Sequence, residues 1–170
     1  KEYRRQRQMC IRDRDRVVEG DLRVSGGSIS TIAPGGGLDA GSNEAVIDAT
    51  GLHLLPGAID PHVHFREPGS TEKEDLESGS RAAAAGGVTS FLDMPNNNPN
   101  ATNRSTLERK IAIASKKAVT HHGFFIGATN DNIADLQSVE GMDGVCGIKI
   151  FMGSSTCLLY TSPSPRDGLL

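Results

Sequence analysis

The sequence has few cysteines, no excess of basic residues and no long apolar run. Three cysteines in 170 residues exclude a disulfide-stapled secreted domain and suit a reducing cytoplasm. The 21 acidic side chains outnumber the 18 basic ones and give a net charge of −3, which does not support binding to nucleic acid or to an anionic membrane. No apolar run approaches the roughly 20 residues that a membrane-spanning helix needs. We therefore expect a globular protein of the cytoplasm.

The two ends of the chain differ in composition from the rest. Residues 4–14 read RRQRQMCIRDR and residues 157–167 read CLLYTSPSPRD. Both strings resemble in-frame translations of the adapter arms used in short-read DNA sequencing, so we predict that residues 1–14 and 157–170 are not native and leave them out of the fold. The alternative is a basic arm for nucleic acid and a Ser/Pro-rich tail. Without these ends the chain is more acidic and keeps one cysteine, Cys146.

The predicted native segment, cut at both ends, divides into two parts. Residues 15–56 carry short alternating apolar runs between Gly-rich turns, which indicates part of a small β-sandwich domain. Residues 57–156 alternate four strand patterns with helix patterns, starting with AIDPHVHF. One helix pattern, STLERKIAIASKKAV, begins with Ser105 and Glu108 at capping-box spacing. This alternation predicts an α/β fold with a parallel sheet, the first half of a (β/α)8 TIM-type barrel whose usual length is roughly 250 residues.

A His-x-His pair closes the first predicted strand of the barrel. Alternate side chains of a strand point to one face, so His62, His64 and Arg66 would line one side of the strand end. Val63 and Phe65 would then pack on the other side. Two imidazoles on one face are a metal-ligand arrangement, and the arginine would hold an anionic substrate. Many His-x-His pairs are surface accidents, however, so the spacing alone is a weak signal.

Two further polar residues lie near predicted strand ends. Asn96 follows the second strand in MPNNNPN, and Lys149 lies in the otherwise apolar pattern GIKIFM. A buried lone ammonium is costly, so we expect a buried Lys149 to be neutralised, paired or chemically modified. A lysine carbamate would be an anionic oxygen ligand for metals. Other polar residues are interpreted as turn, core or solvated positions: Asn97, Asn98, Asn100, His121, His122 and Cys146.

The stretch GLHLLPGAIDPHVHFREPGSTEKEDLESGSRAAAAGGVTSFLDMPNNNP, together with GIKIFMGSST, resembles the dihydroorotases of the amidohydrolase superfamily. The resemblance implies zinc-dependent, reversible cyclisation of N-carbamoyl-L-aspartate to dihydroorotate, a step of pyrimidine biosynthesis. It implies two zinc ions, with His62 and His64 as ligands and Lys149, as N6-carboxylysine, as the bridge. Arg66 and Asn96 would bind the substrate carboxylate.

The same resemblance limits what this chain could do alone. The family's remaining histidine ligands and its catalytic aspartate would lie beyond Thr156, so we expect the chain itself to be inactive. A homo-oligomer and an association with aspartate transcarbamoylase are also compatible with the resemblance. Allantoinases and dihydropyrimidinases (hydantoinases) share the histidine pair and the lysine, and a non-catalytic dihydroorotase-like scaffold is an alternative of another class. The HFREPG context favours a dihydroorotase, because a carboxylate substrate needs the cation.

Overall fold

The computed structural model describes residues 2–6, as backbone, and residues 17–151. Two compact units divide between Pro56 and Gly57, where the sequence pattern changes. Of the segments 1–14 and 157–170, which are predicted to be non-native, residues 1, 7–14 and 157–170 lie outside the described residues. No helix within the described part of the chain is long and apolar enough to cross a membrane.

The first unit contains one four-stranded sheet in the order β3-β2-β1-β4. Its strands are β1 (Glu2–Gln6), β2 (Gly20–Ser25), β3 (Ser28–Pro34) and β4 (Glu44–Asp48). A two-residue turn joins β2 to β3, and both of its residues, Gly26 and Gly27, have positive φ values of 57° and 80°, as this tight hairpin requires. The β-rich character is as predicted. The described residues of this unit form no second sheet, so the sandwich stays a prediction.

Strand β1 lies within residues 1–14, which are predicted from the sequence to be non-native and to lie outside the fold. Glu2–Gln6 pairs antiparallel with β2 and parallel with β4. The physical reason is that strand edges present unpaired N–H and C=O groups, which pair with any extended chain whatever its side chains. For that reason the pairing does not test the adapter origin of this segment, which stays a prediction.

The second unit is a parallel sheet with helices between successive strands, in the order β5-β6-β7-β8. Its elements are β5 (Ala58–Val63), α1 (Leu76–Ala85), β6 (Val88–Asp93), α2 (Arg104–Lys117), β7 (His121–Gly127), α3 (Ile133–Ser138) and β8 (Val145–Lys149). The α/β class with a parallel sheet is confirmed. The register pairs Val63 with Asp93 and Asp93 with Phe124, so the carboxyl ends of β5, β6 and β7 lie together at one edge.

Helix α2 begins two residues away from the predicted capping box. Asn103 is the N-cap: its Oδ1 accepts from the backbone N–H of Thr106 at 2.9 Å, and Thr106 reciprocates. The Ser105–Glu108 prediction is therefore wrong. Asparagine caps a helix as well as serine does, and Glu108 instead forms an exposed ion pair with Arg104 at 2.8 Å.

The core of the second unit lies between the sheet and its helices. Phe91 and Phe124 are fully buried, and the Phe65 ring meets Phe91 edge-on with 4.7 Å between centroids. Helix α1 approaches closely because it has Gly79 at the contact: a Cβ there would lie 2.5 Å from Cε1 of Phe65. Cys146, predicted as a core residue, is exposed, because β8 has a sheet neighbour on one side only within the described chain.

This packing makes Gly79→Ala destabilising even though alanine is the better helix former. We expect overpacking against Phe65 to cost about 1–3 kcal/mol, which outweighs the about 1 kcal/mol that alanine gains in helix propensity. Denaturant unfolding of the protein measures the difference. Gly86→Ala is the control, because Gly86 has a φ of −85° and its added Cβ would have its nearest neighbour at 3.5 Å. A Gly79→Ala protein as stable as the parent would contradict the packing argument.

Candidate functional site

Two imidazoles meet at the carboxyl end of β5. His62 lies in the strand and His64 directly after it, with 3.2 Å between their Nε2 atoms and 5.2 Å between ring centroids. Val63 packs against the core cluster that contains Phe65. The strand alternation thus separates two outward imidazoles from two inward apolar side chains, as the sequence predicts.

Asn96, after β6, holds one of these imidazoles. Its Oδ1 lies 2.7 Å from Nδ1 of His64, and the asparagine is 5% exposed. An amide oxygen only accepts hydrogen bonds, so this contact favours the neutral tautomer of His64 with the proton on Nδ1 and the lone pair on Nε2. Metal-binding histidines are commonly oriented in this way, through a hydrogen bond on the other ring nitrogen.

The spacing of the imidazoles fits a shared metal ion. Two nitrogen ligands at about 2.0–2.1 Å from a tetrahedral zinc lie about 3.3 Å apart, and the two Nε2 atoms are 3.2 Å apart. Two imidazoles alone are an incomplete ligand set. Within the described residues, no group of three or more His, Cys, Asp or Glu side chains is placed to hold a metal.

Arg66 lies beside the histidine pair in a small polar pocket of about 240 Å³. The pocket lining contains two cations and no carboxylate: Arg66, Pro68, Ser70, Lys73, Asn96, Asn97 and Asn98. The backbone of Arg66 is fixed, since its N–H donates to Glu74 O at 3.2 Å and its C=O accepts from Ser70 N at 2.8 Å. No acidic side chain of residues 17–151 forms an ion pair with its guanidinium. Such a pocket is suited to an anion.

Lys149 differs from the sequence prediction in its surroundings. It is half-buried at the end of β8, and its Nζ lies 5.3 Å from the centroid of the Phe151 ring. The expected burial is wrong because β8 is an edge strand among the described residues. Strand β8 is three strands from β5, roughly 14 Å along a flat sheet. The described contacts do not join Lys149 to His62 or His64.

The buried lysine of this unit is Lys110, in α2, which sequence reasoning missed. Lys110 and Asp93 are both 0% exposed, and Nζ lies 2.9 Å from Oδ2 of the aspartate. Nζ also donates to Met94 O at 2.7 Å and to Oδ1 of Asn97 at 2.5 Å. Burial raises the pKa of Asp93 to about 6 and lowers the pKa of Lys110, against the attraction between the two charges.

A sequence signal for Lys110 did exist. It lies three residues after Leu107 and four before Ala114, which are both buried, so helical spacing assigns it to the buried face.

Asn97, interpreted as a turn residue, is 5% exposed. Its amide donates to Phe65 O at 2.9 Å and to Glu67 O at 3.1 Å. The role of Asn97 therefore extends beyond local turn geometry.

Glu67 anchors the loop after β5 to two helices. Its Oε2 accepts from Leu76 N, at the start of α1, at 3.0 Å. Its Oε1 pairs with Nζ of Lys117, at the end of α2, at 2.5 Å, and this contact raises the pKa of Lys117. The loop that carries Arg66 is thus also held to the start of α1 and to the end of α2.

Comparison with known proteins identifies relatives of this unit. Residues 53–151 match the model of the amidohydrolase family. A dihydroorotase of Methanosarcina acetivorans is 40% identical over 136 residues, which cover 80% of this chain and 28% of the relative. An allantoinase of Deinococcus radiodurans is 39% identical over 136 residues, covering 79% and 30%. The chain thus spans less than a third of the length of these relatives.

Solved structures share the fold. The L-hydantoinase (dihydropyrimidinase) from Arthrobacter aurescens superposes with a TM-score of 0.83 at 23% identity, over 97% of this chain and 36% of that one. The dihydropyrimidinase from Brevibacillus agri gives 0.73 at 29% identity, over 96% and 35%. The resemblance to dihydroorotases is confirmed at the level of sequence, but allantoinases match nearly as well. Overall similarity therefore does not decide the substrate.

The Asn96 contact predicts the tautomer of His64. We expect its neutral ring to carry the proton on Nδ1, because Oδ1 of Asn96 accepts from that atom. The ¹⁵N chemical shifts of the ring nitrogens in histidine-labelled protein measure this, and Asn96→Leu should shift the population toward protonation at Nε2. His122, whose Nδ1 lies 3.2 Å from Thr120 O, is the internal control and should not change. A parent protein with His64 protonated mainly at Nε2 would contradict the assignment.

Proposed function

Since this chain belongs to the amidohydrolase family, we propose that the full-length protein is a metal-dependent hydrolase of a cyclic amide, and that its substrate is dihydroorotate. In the reverse direction the enzyme would close N-carbamoyl-L-aspartate to the ring. The four parallel strands would be the first half of a (β/α)8 barrel, and the cytoplasm the place of action. A homo-oligomer and an association with aspartate transcarbamoylase remain part of this proposal.

The observation that carries the choice of substrate is the position of Arg66. Arg66, two residues after His64, lines the pocket that also contains Asn96, and no described carboxylate forms an ion pair with its guanidinium. Dihydroorotate has a carboxylate on its ring, which a guanidinium binds through two parallel charge-assisted hydrogen bonds. Asn96 would add a neutral donor through its amide nitrogen, since its oxygen faces His64.

His62 and His64 are the residues that we propose as zinc ligands, through their Nε2 atoms. Lys149, if carboxylated on Nζ, would supply anionic oxygen ligands that bridge two zinc ions, and the remaining ligands would come from residues beyond the described part. When bound, zinc supplies Lewis-acid activation of water and of the amide carbonyl. Arg66 and Asn96 hold the carboxylate and so fix the ring relative to the histidine pair.

Allantoin hydrolysis is the second candidate, because the allantoinase of Deinococcus radiodurans is 39% identical to this chain. Turnover of dihydroorotate, allantoin, dihydrouracil and hydantoin by the full-length protein separates the candidates. We expect dihydroorotate, the one carboxylate among these rings, to have the highest kcat/KM. A preference for a ring without a carboxylate would reject the dihydroorotase proposal and leave the amidohydrolase assignment intact.

Arg66→Lys should raise KM for dihydroorotate roughly tenfold to hundredfold, because an ammonium cannot reproduce two parallel hydrogen bonds to a carboxylate. Steady-state kinetics of the full-length enzyme measures the change. Arg81→Lys is the matched control, because Arg81 is exposed and pairs only with Glu77 on its own helix. An unchanged KM in Arg66→Lys would remove Arg66 from substrate binding.

A carboxylated Lys149 predicts that zinc uptake depends on bicarbonate. After metal removal, the full-length protein should bind more zinc, and regain more activity, when bicarbonate is added with the metal. Lys149→Ala should abolish the bicarbonate-dependent part, whereas Lys116→Ala, at an exposed position of α2, should keep it. Zinc content by elemental analysis gives a readout apart from activity. Equal uptake with and without bicarbonate in the parent would contradict the carbamate.

A further inference from the structure

Three buried side chains form a closed circuit with the backbone N–H and C=O of Phe65. Its N–H donates to Oδ1 of Asp93 at 3.1 Å, and Oδ2 of Asp93 pairs with Nζ of Lys110 at 2.9 Å. Lys110 donates to Oδ1 of Asn97, whose Nδ2 donates back to Phe65 O at 2.9 Å. The circuit joins the end of β5, the end of β6, the loop after it and helix α2. The N–H and the C=O of Phe65, which belong to the two peptide units on either side of its Cα, are thereby fixed.

The buried ammonium has as many oxygen neighbours as it has N–H donors. An ammonium has three N–H donors, and Nζ of Lys110 has three oxygen partners: Oδ2 of Asp93, Met94 O and Oδ1 of Asn97. The Phe124 ring lies below it, with its centroid 5.0 Å from Nζ. The position is therefore built for a charged lysine rather than for a long apolar side chain.

Stability alone does not explain this arrangement. Taking two charges out of water costs several kcal/mol per ion, and replacing a buried ion pair with apolar residues of similar volume is often neutral or stabilising. The ion pair instead fixes backbone positions, because each hydrogen bond of the circuit requires its backbone partner at a particular place. The groups that it orients are adjacent in sequence to the candidate site: Phe65 lies between His64 and Arg66, and Asn97 follows Asn96.

We propose that Asp93, Lys110 and Asn97 are positioning residues, which hold the loop after β5 and the loop after β6 so that Arg66 and Asn96 converge on one anion. They do not touch the reacting atoms. Their effect is on the affinity for a carboxylate substrate, and in that respect the inference rests on the proposed function. The fixing of the loop itself is independent of the substrate.

Two double variants of the full-length protein separate the positioning of the loops by hydrogen bonds from the effect of the charges on Asp93 and Lys110. Asp93→Leu with Lys110→Met removes both charges and the acceptor for the Phe65 N–H. Asp93→Asn with Lys110→Gln removes both charges but keeps side-chain amides that hydrogen-bond. Lys116→Met is the matched control, because Lys116 is exposed on the same helix. The measurements are the unfolding midpoint, hydrogen exchange of a peptide that covers residues 64–70, and KM and kcat for dihydroorotate.

We expect the apolar pair to raise KM roughly tenfold to hundredfold, as a displacement of about 1 Å in a binding group can do. Its kcat should change less, since loss of uniform substrate binding acts on KM. Exchange in residues 64–70 should become faster than in the rest of the unit. The amide pair should stay within about threefold of the parent KM, and Lys116→Met should not differ from the parent.

Three outcomes would overturn the proposal. In the first, the apolar pair folds with the parent's KM and exchange. In the second, kcat falls at constant KM, which reports a smaller folded fraction and a purely structural role. In the third, which applies if the apolar pair does not fold, Asn97→Ala, with both charges left in place, keeps the parent's KM and exchange. A parent without dihydroorotate turnover would reject the proposed function, and the exchange measurements would still decide whether the circuit fixes the loop.

Discussion

The ion pair between Asp93 and Lys110 is the constraint on which the candidate site depends. Two opposite charges with no exposed surface have to satisfy each other and all their remaining hydrogen-bonding capacity, since an uncompensated buried charge is strongly destabilising. That requirement fixes helix α2 against the end of β6. Through Asn97 and the Phe65 N–H it then fixes the loop that carries His64 and Arg66. His64 and Arg66, although they lie on a loop, are thus held in fixed positions relative to the sheet.

Features that depend on local periodicity could be predicted from the sequence. The alternation of strand and helix patterns gives the α/β class, because the periods of 2 and 3.6 residues are properties of single elements. The meeting of His62 and His64 follows from the same period-2 geometry. The adjacency of Arg66 and Asn96 in one pocket follows from the rule that the carboxyl ends of parallel strands share an edge. All of these inferences needed no knowledge of which helix packs where.

Features that depend on tertiary contacts could not be predicted in this way. Helical spacing assigns Lys110 to the buried face, but only the docking of α2 on β6 shows that Asp93 neutralises it. The sequence rule predicts the wrong cap for α2, because Ser105–Glu108 matches it whereas the observed pair, Asn103 and Thr106, lacks the Glu or Gln that the rule requires. Burial of Lys149 and of Cys146 depends on what lies beside β8, and a strand's apolar composition does not determine its place in the sheet.

The overall sequence similarity of this chain to known amidohydrolases does not determine its substrate. A dihydroorotase and an allantoinase match it at 40% and 39% identity, so overall identity does not separate the two substrates. In the proposed function Arg66, one of the two cations in the 240 Å³ pocket, acts on the carboxylate substituent of the ring. Substrate specificity can therefore reside in Arg66, provided that the buried circuit holds its backbone in the same place.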